Sequence, residues 1–316
     1  MVLIILKYCI IGGGAIGGLL AYFLYRAGIN DITVYYGSWD SVREISYNGG
    51  ITIISKGRDY LVPIKPRHYT MPGEKCDVIL CAVKAYDVKK TLDLIKDLAY
   101  EYSLIVSLQN GFGSYELLAR EFGYNRVALG VVNIGAYRVN KYTIEERGIG
   151  EIIFGQKQGF HYLLPELALR LRIGGCPTRI TVFIDKYRWL KLAINAVINP
   201  LTALMRAKNR IIYESKHLRE IAYLILKELV IAAKITDNID LDLNRLYKYV
   251  LRIVEITKEN YSSMVQDILN NRRTEIDYIN GFIVEVLEKH GLNPIANKII
   301  TELIHAVEER LIQPTQ

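Results

Sequence analysis

Three polar side chains recur at four-residue intervals in an otherwise apolar stretch of the chain, Trp189–Pro200. On a helix, Lys191, Asn195 and Asn199 would share one face, because four residues nearly complete a turn. A stripe of this kind is ordinary on the solvent side of an amphipathic helix. Asparagine is a mediocre helix former, however, so two in register favour recognition of a ligand over solvation. Pro200 lacks a backbone N–H and is expected to kink the helix next to Asn199.

A second polar cluster spans Asn260–Asp267 and resumes at Thr274. It has a purely structural explanation, because Ser263 with Gln266 matches a capping box and Thr274 is a suitable N-cap residue. Glu275 would then lie in the first turn of a helix, where a carboxylate interacts favourably with the helix dipole. The residues alone leave a structural and a functional role for this cluster equally open.

A glycine run lies between an apolar stretch that predicts a strand, Val2–Ile11, and one that predicts a helix, Leu19–Leu24. This order is the context of a dinucleotide-binding turn, in which free amides and the positive end of the helix dipole hold a pyrophosphate. Gly12 would permit the tight turn, Gly14 the approach of the pyrophosphate, and Gly17 close packing of helix and strand. The predicted cofactor-binding residues of this turn are Gly12, Gly13, Gly14, Ala15, Ile16 and Gly17.

Two further polar residues follow predicted strands. Lys84 comes after Val78–Val83, and Asn110 comes after Leu104–Leu108. Open α/β sheets bind ligands at the carboxyl ends of their strands. We therefore expect Lys84 to contact a cofactor rather than to serve as a surface lysine.

The composition, with 51% hydrophobic and 23% charged residues, is that of a globular protein, and 316 residues predict two domains. The net charge of +7 suits anionic ligands. The basic residues are distributed and form no stripe interleaved with aromatic residues, so nucleic-acid binding is not predicted. High usage of Ile, Tyr, Lys and Arg favours a thermophilic source.

The cysteines are scattered, with no CxxC pair and no histidine cluster at ligand spacing. The sequence therefore predicts neither a metal site nor a disulfide framework, and Cys9 and Cys81 are interpreted as small core residues. The uncharged stretch Tyr8–Tyr25 contains five glycines and resembles neither a membrane span nor a signal peptide. A cytoplasmic protein without a membrane partner is the expectation.

Strand-like and helix-like segments alternate in the first half, which predicts a parallel sheet with helices on both faces. The stretch Gly130–Gly155 is expected to add antiparallel strands. The other predicted strands are Asp31–Tyr36, Val127–Val132 and Arg179–Phe183, and the predicted helices are Tyr86–Ala99, Ser114–Phe122 and Leu163–Arg172.

From Asp185 onward, apolar residues recur at intervals of three and four, which predicts an all-helical half. The predicted helices are Lys186–Arg206, Ser215–Ile235, Leu243–Lys258, Met264–Leu269, Glu275–Lys289 and Ile295–Leu311. We therefore predict an α/β protein with an N-terminal Rossmann dinucleotide-binding domain, residues 1–183, and a helical second domain, residues 184–316, to which the family resemblance described next assigns substrate binding and dimerisation.

Five motifs together closely resemble the ketopantoate reductases, the NADPH-dependent 2-dehydropantoate 2-reductases of pantothenate and coenzyme A biosynthesis. They occur in that family's order and cover nearly the whole chain. The motifs are Gly12–Gly17, Val83–Tyr86 (VKAY), Leu108–Gly111 (LQNG), Lys191–Thr202 (KLAINAVINPLT), and Ser262–Asp267 (SSMVQD) with Thr274–Tyr278 (TEIDY). The resemblance implies reduction of 2-dehydropantoate to (R)-pantoate on a Rossmann domain joined to a helical domain of the 6-phosphogluconate dehydrogenase C-terminal type.

By this resemblance, Lys191 is the general acid and Glu275 its essential carboxylate companion. A lysine ammonium suits that role, since it can stabilise and protonate the oxygen on which negative charge develops during hydride transfer. Whether Glu275 orients Lys191 or binds a substrate hydroxyl stays open. The implied substrate-binding residues are Asn110, Asn195, Asn199, Asn260 and Ser263; the implied cofactor contacts are the glycine turn, Lys84, Asn110 and Glu275.

One feature departs from the family pattern. An arginine commonly follows the second strand and binds the 2′-phosphate of NADP, but here the strand end is Tyr35-Tyr36-Gly37-Ser38. Arg43 could turn toward that phosphate, and Asp40 toward a ribose. NADPH is expected, with NADH possible. The alternatives are a related dehydrogenase of another small 2-oxo acid and a non-catalytic nicotinamide sensor; a homodimer is expected in each case.

Overall fold

The computed structural model describes residues 6–148 and 150–312, which form two compact units. Residues up to Gln109 together with Ser114–Ile184 form the first unit, which is mixed α/β. Asn110–Gly113 together with the residues from Asp185 onward form the second, which is helical. The predicted fold class is confirmed. The segment 2–5 of the first predicted strand lies outside the described residues.

The first unit contains an eight-stranded sheet in the order β12-β11-β8-β7-β6-β1-β2-β5. Its central strands run parallel and are buried on both faces, which explains their continuous apolar sequences. A four-stranded sheet, β4-β3-β10-β9, completes the unit. The strands are β1 (Tyr8–Ile11), β2 (Ile32–Tyr36), β3 (Ile51–Ser55), β4 (Arg58–Val62), β5 (Lys65–His68), β6 (Cys76–Cys81), β7 (Ala99–Ser107), β8 (Val127–Val132), β9 (Gly135–Arg138), β10 (Thr143–Gly148), β11 (Ile152–Gly155) and β12 (Thr178–Ile180).

The helices of the first unit lie between these strands and are short, except for the first. They are α1 (Ala15–Arg26), α2 (Trp39–Tyr47), a 3₁₀ helix (Ala85–Thr91), α3 (Leu92–Leu98), α4 (Ser114–Phe122) and α5 (Leu164–Ile173). Leu19, Leu20 and Phe23 of α1 are almost completely buried in the core of this unit.

The second unit consists of seven helices in the described part of the chain. They are α6 (Ile184–Met205), α7 (Arg210–Glu214), α8 (Lys216–Asp237), α9 (Leu243–Ile256), α10 (Ser263–Leu269), α11 (Ile276–Lys289) and α12 (Ile295–Ile312). Side chains of α6, α8 and α11 form the core, with Ala196, Leu226 and Ile283 completely buried. In the described residues no helix is both long enough and apolar enough to cross a bilayer.

Several predicted boundaries were wrong. The predicted helix Tyr86–Ala99 is a 3₁₀ helix followed by α3, and Ala99 begins strand β7. The last strand was predicted at Arg179–Phe183, but the observed strand, β12, spans Thr178–Ile180. The antiparallel additions expected in Gly130–Gly155 are confirmed, because β8 pairs antiparallel with β11 and β9 with β10.

The prediction of no disulfide was wrong, whereas Cys81 is a buried core residue, as predicted. Cys9 of β1 and Cys76 of β6 form a disulfide, with their Cα atoms 5.9 Å apart. The two residues are 67 positions apart, so no local spacing in the sequence could predict the pair. Their strands are parallel neighbours in the large sheet, in a register that sets Cys9 opposite Ile79. Cys81 and Cys176 are buried free thiols.

Candidate active site

The segment Asn110–Gly113 follows β7 but packs with the helices of the second unit. Phe112 is buried there, and its ring stacks on Phe282 at a centroid distance of 4.4 Å. The backbone N–H of Phe112 donates to the carbonyl oxygen of Tyr278 at 3.0 Å. Gly111 has φ +78°, and a Cβ there would lie 2.0 Å from the same carbonyl oxygen. This fit holds Asn110 against the start of α11.

Helix α6 carries the three polar residues singled out by their spacing. Asn195 and Asn199 are only 6% and 5% exposed, so neither belongs to a solvent-facing stripe. Residues between them, such as Ala196 and Val197, are completely buried in the helical core. Among residues 6–148 and 150–312, the side-chain amide of Asn199 finds no hydrogen-bond partner. A buried amide without a partner is available to a ligand.

A short relay of hydrogen bonds joins α6 to the start of α11. The Nδ2 of Asn195 donates to the Oδ1 of Asn110 at 3.2 Å, and the Nδ2 of Asn110 donates to the Oε2 of Glu275, also at 3.2 Å. Glu275 is 5% exposed and occupies the N-cap position of α11, but its side chain does not cap the helix. The carboxylate therefore fixes the orientation of Asn110, and through it the orientation of Asn195.

Lys191 lies one turn before Asn195 and is partly buried. Burial lowers the pKa of its ammonium from 10.5 to about 8, because desolvation disfavours the charged form. Within the described residues this ammonium forms neither a hydrogen bond nor an ion pair. Glu275 therefore does not pair with Lys191 in this structure. A proton donor with a pKa near the working pH is well suited to general acid catalysis.

Asn260 and Ser263 are exposed and lie outside the relay. The carbonyl of Asn260 accepts a hydrogen bond from the backbone N–H of Asn209 at 3.0 Å. Ser263 is the first residue of α10, and the N-cap is Ser262, whose hydroxyl accepts from the N–H of Val265 at 3.2 Å. The capping box assigned to Ser263 was therefore wrong by one residue, and its hydroxyl is not used as the cap.

Sequence reasoning missed Asn209, which lies between α6 and α7 and is 5% exposed. Its Nδ2 donates to the carbonyl and hydroxyl oxygens of Thr257, at 3.2 and 3.0 Å. Its Oδ1 is buried without a partner in the part of the chain that is described. The signal that could have found it is an asparagine in a short connection next to a polar cluster.

The glycine turn of the first unit fits a dinucleotide pyrophosphate. A Cβ on Gly13 would lie 1.9 Å from the ring of Tyr36, and one on Gly17 would lie 2.1 Å from the carbonyl oxygen of Gly12. Those glycines are required by the packing of the protein itself. A Cβ on Gly14 would meet nothing within 4 Å. Gly14 is the N-cap of α1, where no side chain caps the helix and no acidic residue lies in the first turn, so this end can accept an anion.

Lys84 lies near the glycine turn, at the N-cap of the 3₁₀ helix. Strand β6, which ends three residues before Lys84, pairs in parallel with β1, and Ile11 lies opposite Cys81. The N–H of Ala82 donates to the carbonyl of Ile11 at 2.8 Å. The carboxyl ends of both strands therefore meet at one edge of the sheet, as the sequence predicted.

The end of β2 differs from the expectation. Arg43 forms an ion pair with Asp40 on the exposed face of α2, so the two residues bind each other. Strand β5 was not predicted, and it places His68 beside Tyr36. The ring of His68 stacks on Trp39 at a centroid distance of 4.4 Å.

Comparison with known proteins identifies the family. The ketopantoate reductase PanE/ApbA model matches residues 8–159, and the model of the C-terminal region of ketopantoate reductase PanE/ApbA matches residues 184–308. The chain belongs to the ketopantoate reductase family. The resemblance inferred from the motifs is thereby confirmed.

Two curated members of the ketopantoate reductase family align over nearly the whole chain. The 2-dehydropantoate 2-reductase of Pyrobaculum aerophilum is 33% identical over 304 residues, 95% of this chain and 97% of that protein. That of Pyrococcus horikoshii is 31% identical over 306 residues, 96% of this chain and 98% of that protein. Among solved structures, D-mandelate dehydrogenase with NADH and anilino(oxo)acetate has a TM-score of 0.92 at 23% identity, covering 97% of this chain and 100% of that one. At this identity the likeness shows the fold.

Proposed function

We propose that this protein is a 2-dehydropantoate 2-reductase that uses a nicotinamide cofactor. Family membership supports the reaction. The observation that carries the mechanism is the unpaired ammonium of Lys191, whose pKa is lowered to about 8 by burial, one turn from the ordered Asn195. A nicotinamide sensor has no need of such a proton donor, which argues against the non-catalytic alternative.

The chemistry that a bound reduced nicotinamide supplies is hydride donation to the C2 ketone carbon. As the ketone is reduced, negative charge develops on its oxygen. Lys191 stabilises this charge and donates a proton to the oxygen, which becomes the hydroxyl of pantoate. Asn110 and Asn195 donate and accept hydrogen bonds in orientations fixed by Glu275, so they meet the substrate already ordered.

Neutral donors suit the remaining groups of the substrate, a carboxylate and a hydroxyl. Asn199, Asn260 and Ser263 would supply them. The buried Asn199 has an amide without a partner in the described structure, and Asn260 and Ser263 expose their side chains. Lys84 and the glycine turn Gly12–Gly17 would hold the cofactor, with its pyrophosphate at Gly14.

We further propose that NADPH is used and that NADH is accepted at a smaller penalty than in relatives that carry the arginine. The usual arginine is absent, and Arg43 is held by Asp40. The NADH bound to the D-mandelate dehydrogenase neighbour is compatible with this fold accepting either cofactor. Ratios of kcat/KM for the two cofactors test this proposal, with Arg43→Ala as the variant. A ratio that Arg43→Ala shifts by more than about tenfold toward NADH would assign the phosphate contact to Arg43.

The decisive experiment for the reaction is a substrate panel followed by nicotinamide absorbance. We expect kcat/KM for 2-dehydropantoate to exceed that for pyruvate, 2-oxoisovalerate, oxaloacetate and phenylglyoxylate by at least about tenfold. A different 2-oxo acid as the best substrate would replace the proposed activity by that of a related hydroxyacid dehydrogenase. Turnover of none of these acids would leave the sensor as the better assignment.

We also propose a homodimer. Helix α12 exposes Ile295, Ile299 and Leu303 by 57%, 54% and 45%, and their four-residue spacing places them in one apolar stripe. Sedimentation velocity of the wild type is expected to give a dimer, and Ile299→Glu a monomer. Lys248→Glu, at an exposed position of α9, is the control that should leave the mass unchanged.

A further inference from the structure

Pro200 lies inside α6, between the polar residues and the end of the helix. Because proline has no N–H, the carbonyl four residues earlier loses its helical hydrogen bond. That carbonyl belongs to Ala196, which is completely buried. A buried carbonyl without a donor costs free energy, so we expect another hydrogen-bond donor to replace the missing N–H.

The substitute comes from another helix. Asn280 of α11 is 0% exposed, and its Nδ2 donates to the carbonyl oxygen of Ala196 at 3.0 Å. The second hydrogen of the same amide goes to the Oδ1 of Asn297 at 2.9 Å. The Oδ1 of Asn280 is buried without a partner in the described structure. Two donated hydrogen bonds therefore determine where this side chain lies.

Asn297 is itself fixed from two directions. Its Nδ2 donates to the carbonyl of Ile225 at 3.2 Å and to the Oε2 of Glu228 at 2.6 Å. The same Oε2 accepts from the backbone N–H of Asn297 at 2.9 Å. Helices α8 and α12 thus hold the acceptor that orients Asn280.

We propose that Asn280 is a positioning residue that replaces the N–H missing at Pro200 and so holds the turn of α6 that carries Asn195 and Asn199. The inference rests on the proposed reduction of 2-dehydropantoate, since these two asparagines act there on the substrate. Ala196 follows Asn195 directly and lies three residues before Asn199, so a displaced carbonyl would tilt both amides.

The hydrogen bonds of Asn280 also contribute to stability, because a leucine of similar volume would deprive the carbonyl of Ala196 and the Oδ1 of Asn297 of this donor. A positioning role requires in addition that the carbonyl of Ala196 be held at one place and orientation. The requirement comes from the neighbouring Asn195, which is hydrogen-bonded to Asn110 at 3.2 Å.

A double-mutant cycle tests the inference with four proteins: wild type, Asn280→Leu, Pro200→Ala, and the double variant. In the Pro200 background we expect Asn280→Leu to lower kcat/KM for 2-dehydropantoate at least tenfold, chiefly through KM. In the Pro200→Ala background, where a backbone N–H can bond the carbonyl of Ala196, the same substitution should change kcat/KM by less than threefold. Ile283→Val, a core change on the same helix, is the control for general destabilisation and should leave KM unchanged.

Equal losses in both backgrounds would overturn the inference, as would an Asn280→Leu protein that melts earlier with unchanged KM, like Ile283→Val. If Asn280→Leu alone does not fold, the double variant decides, because rescue of folding by Pro200→Ala supports the pairing and continued failure to fold refutes it. A wild type without reductase activity would refute the proposed function instead. The cycle would then be scored by urea unfolding, where strictly additive effects of the two substitutions would refute the pairing.

Discussion

Lys191 is the proposed general acid, and burial lowers the pKa of its ammonium. Only its protonated form can act as the acid, and its pKa is about 8. We therefore predict that kcat/KM is constant below this pKa and falls about tenfold per pH unit above it. Lys191→Met should remove the pH dependence and lower kcat by ~10²–10⁴-fold with cofactor affinity retained. Unchanged turnover in this variant would remove Lys191 from the mechanism.

The same pKa has a consequence for stability. The folded-state pKa of about 8 lies below the ordinary lysine pKa of 10.5, so between these two pH values the unfolded chain binds more protons. The cost of burying this ammonium is thus fully present below pH 8 and disappears as the pH rises toward 10.5. Lys191→Met should stabilise the protein at pH 7 by on the order of 2–3 kcal/mol, a gain that vanishes near pH 10.5. Urea unfolding at both pH values measures it, and a gain independent of pH would contradict this explanation.

Glu275 can now be tested for a role through Asn110 rather than through Lys191. Glu275→Gln keeps the shape but removes the charge that strengthens the hydrogen bond from Asn110. We predict a fall in kcat/KM of at least ~10²-fold with little change in melting temperature. A purely structural Glu275 would instead lose ~0.3–1 kcal/mol of stability at the helix start and keep its turnover. Parallel calorimetry and kinetics distinguish the two.

At the residue scale, spacing predicted what lies close in the chain. Lys191, Asn195 and Asn199 do share one helix, because a four-residue repeat needs only helical geometry. The hydrogen bond from Asn110 to Glu275 joins residues that are 165 positions apart in the sequence, so it could not be derived from spacing. The family resemblance grouped those two residues but gave no orientation.

At the scale of the elements, the turn between β1 and α1 contains glycines that are needed for folding and one, Gly14, that faces open space. Gly14→Val should fold normally, since nothing lies within 4 Å of its Cβ, and should weaken cofactor binding by more than ~10²-fold by occupying the place of the pyrophosphate. Gly17→Ala should instead destabilise the protein, because its Cβ would lie 2.1 Å from a backbone oxygen. Fluorescence titration and thermal melts check both. Normal cofactor affinity in Gly14→Val would show that the pyrophosphate does not bind at this turn.

Helix α10 offers a matched pair of serines. Ser262→Ala removes the N-cap and the contact of its hydroxyl with that of Thr202 at 2.8 Å, so it should cost about 1–2 kcal/mol of stability. Ser263→Ala should leave stability unchanged and raise KM for 2-dehydropantoate, since its exposed hydroxyl is proposed to bind substrate. Urea unfolding and steady-state kinetics on both variants provide the measurement. A loss of stability in Ser263→Ala but not in Ser262→Ala would instead support a capping box at Ser263.

At the element scale, the helical half was predictable because its long apolar repeats allow only helices that share a core. In the four-stranded sheet, β9 and β10 fall within the predicted antiparallel additions, but β3 and β4 were missed. Strand β4 is mostly exposed and shows no alternation of buried and exposed residues. Helix α7 has five residues, too few to reveal a period.

At the scale of the whole molecule, the disulfide between Cys9 and Cys76 links two strands across a long loop. Closing a loop of this length, 67 positions, should contribute about 4 kcal/mol by restricting the unfolded chain. We predict two reactive thiols in the denatured, unreduced protein, those of Cys81 and Cys176, and four after reduction. A reductant should lower the melting temperature of the wild type but not of Cys9→Ala/Cys76→Ala. Detection of four thiols in the unreduced protein would show that Cys9 and Cys76 are not disulfide-bonded.

The segment Asn110–Gly113 gives the helical unit a piece of chain from the first half of the sequence. The polypeptide consequently passes between the units after Gln109, after Gly113 and after Ile184. A gene fragment beginning at codon 185 would encode every helix of the unit yet lack Phe112, whose ring fills the space beside Phe282. Exchange of substrate specificity between relatives by swapping whole domains must therefore transplant two separate stretches of coding sequence, one of them only four codons long.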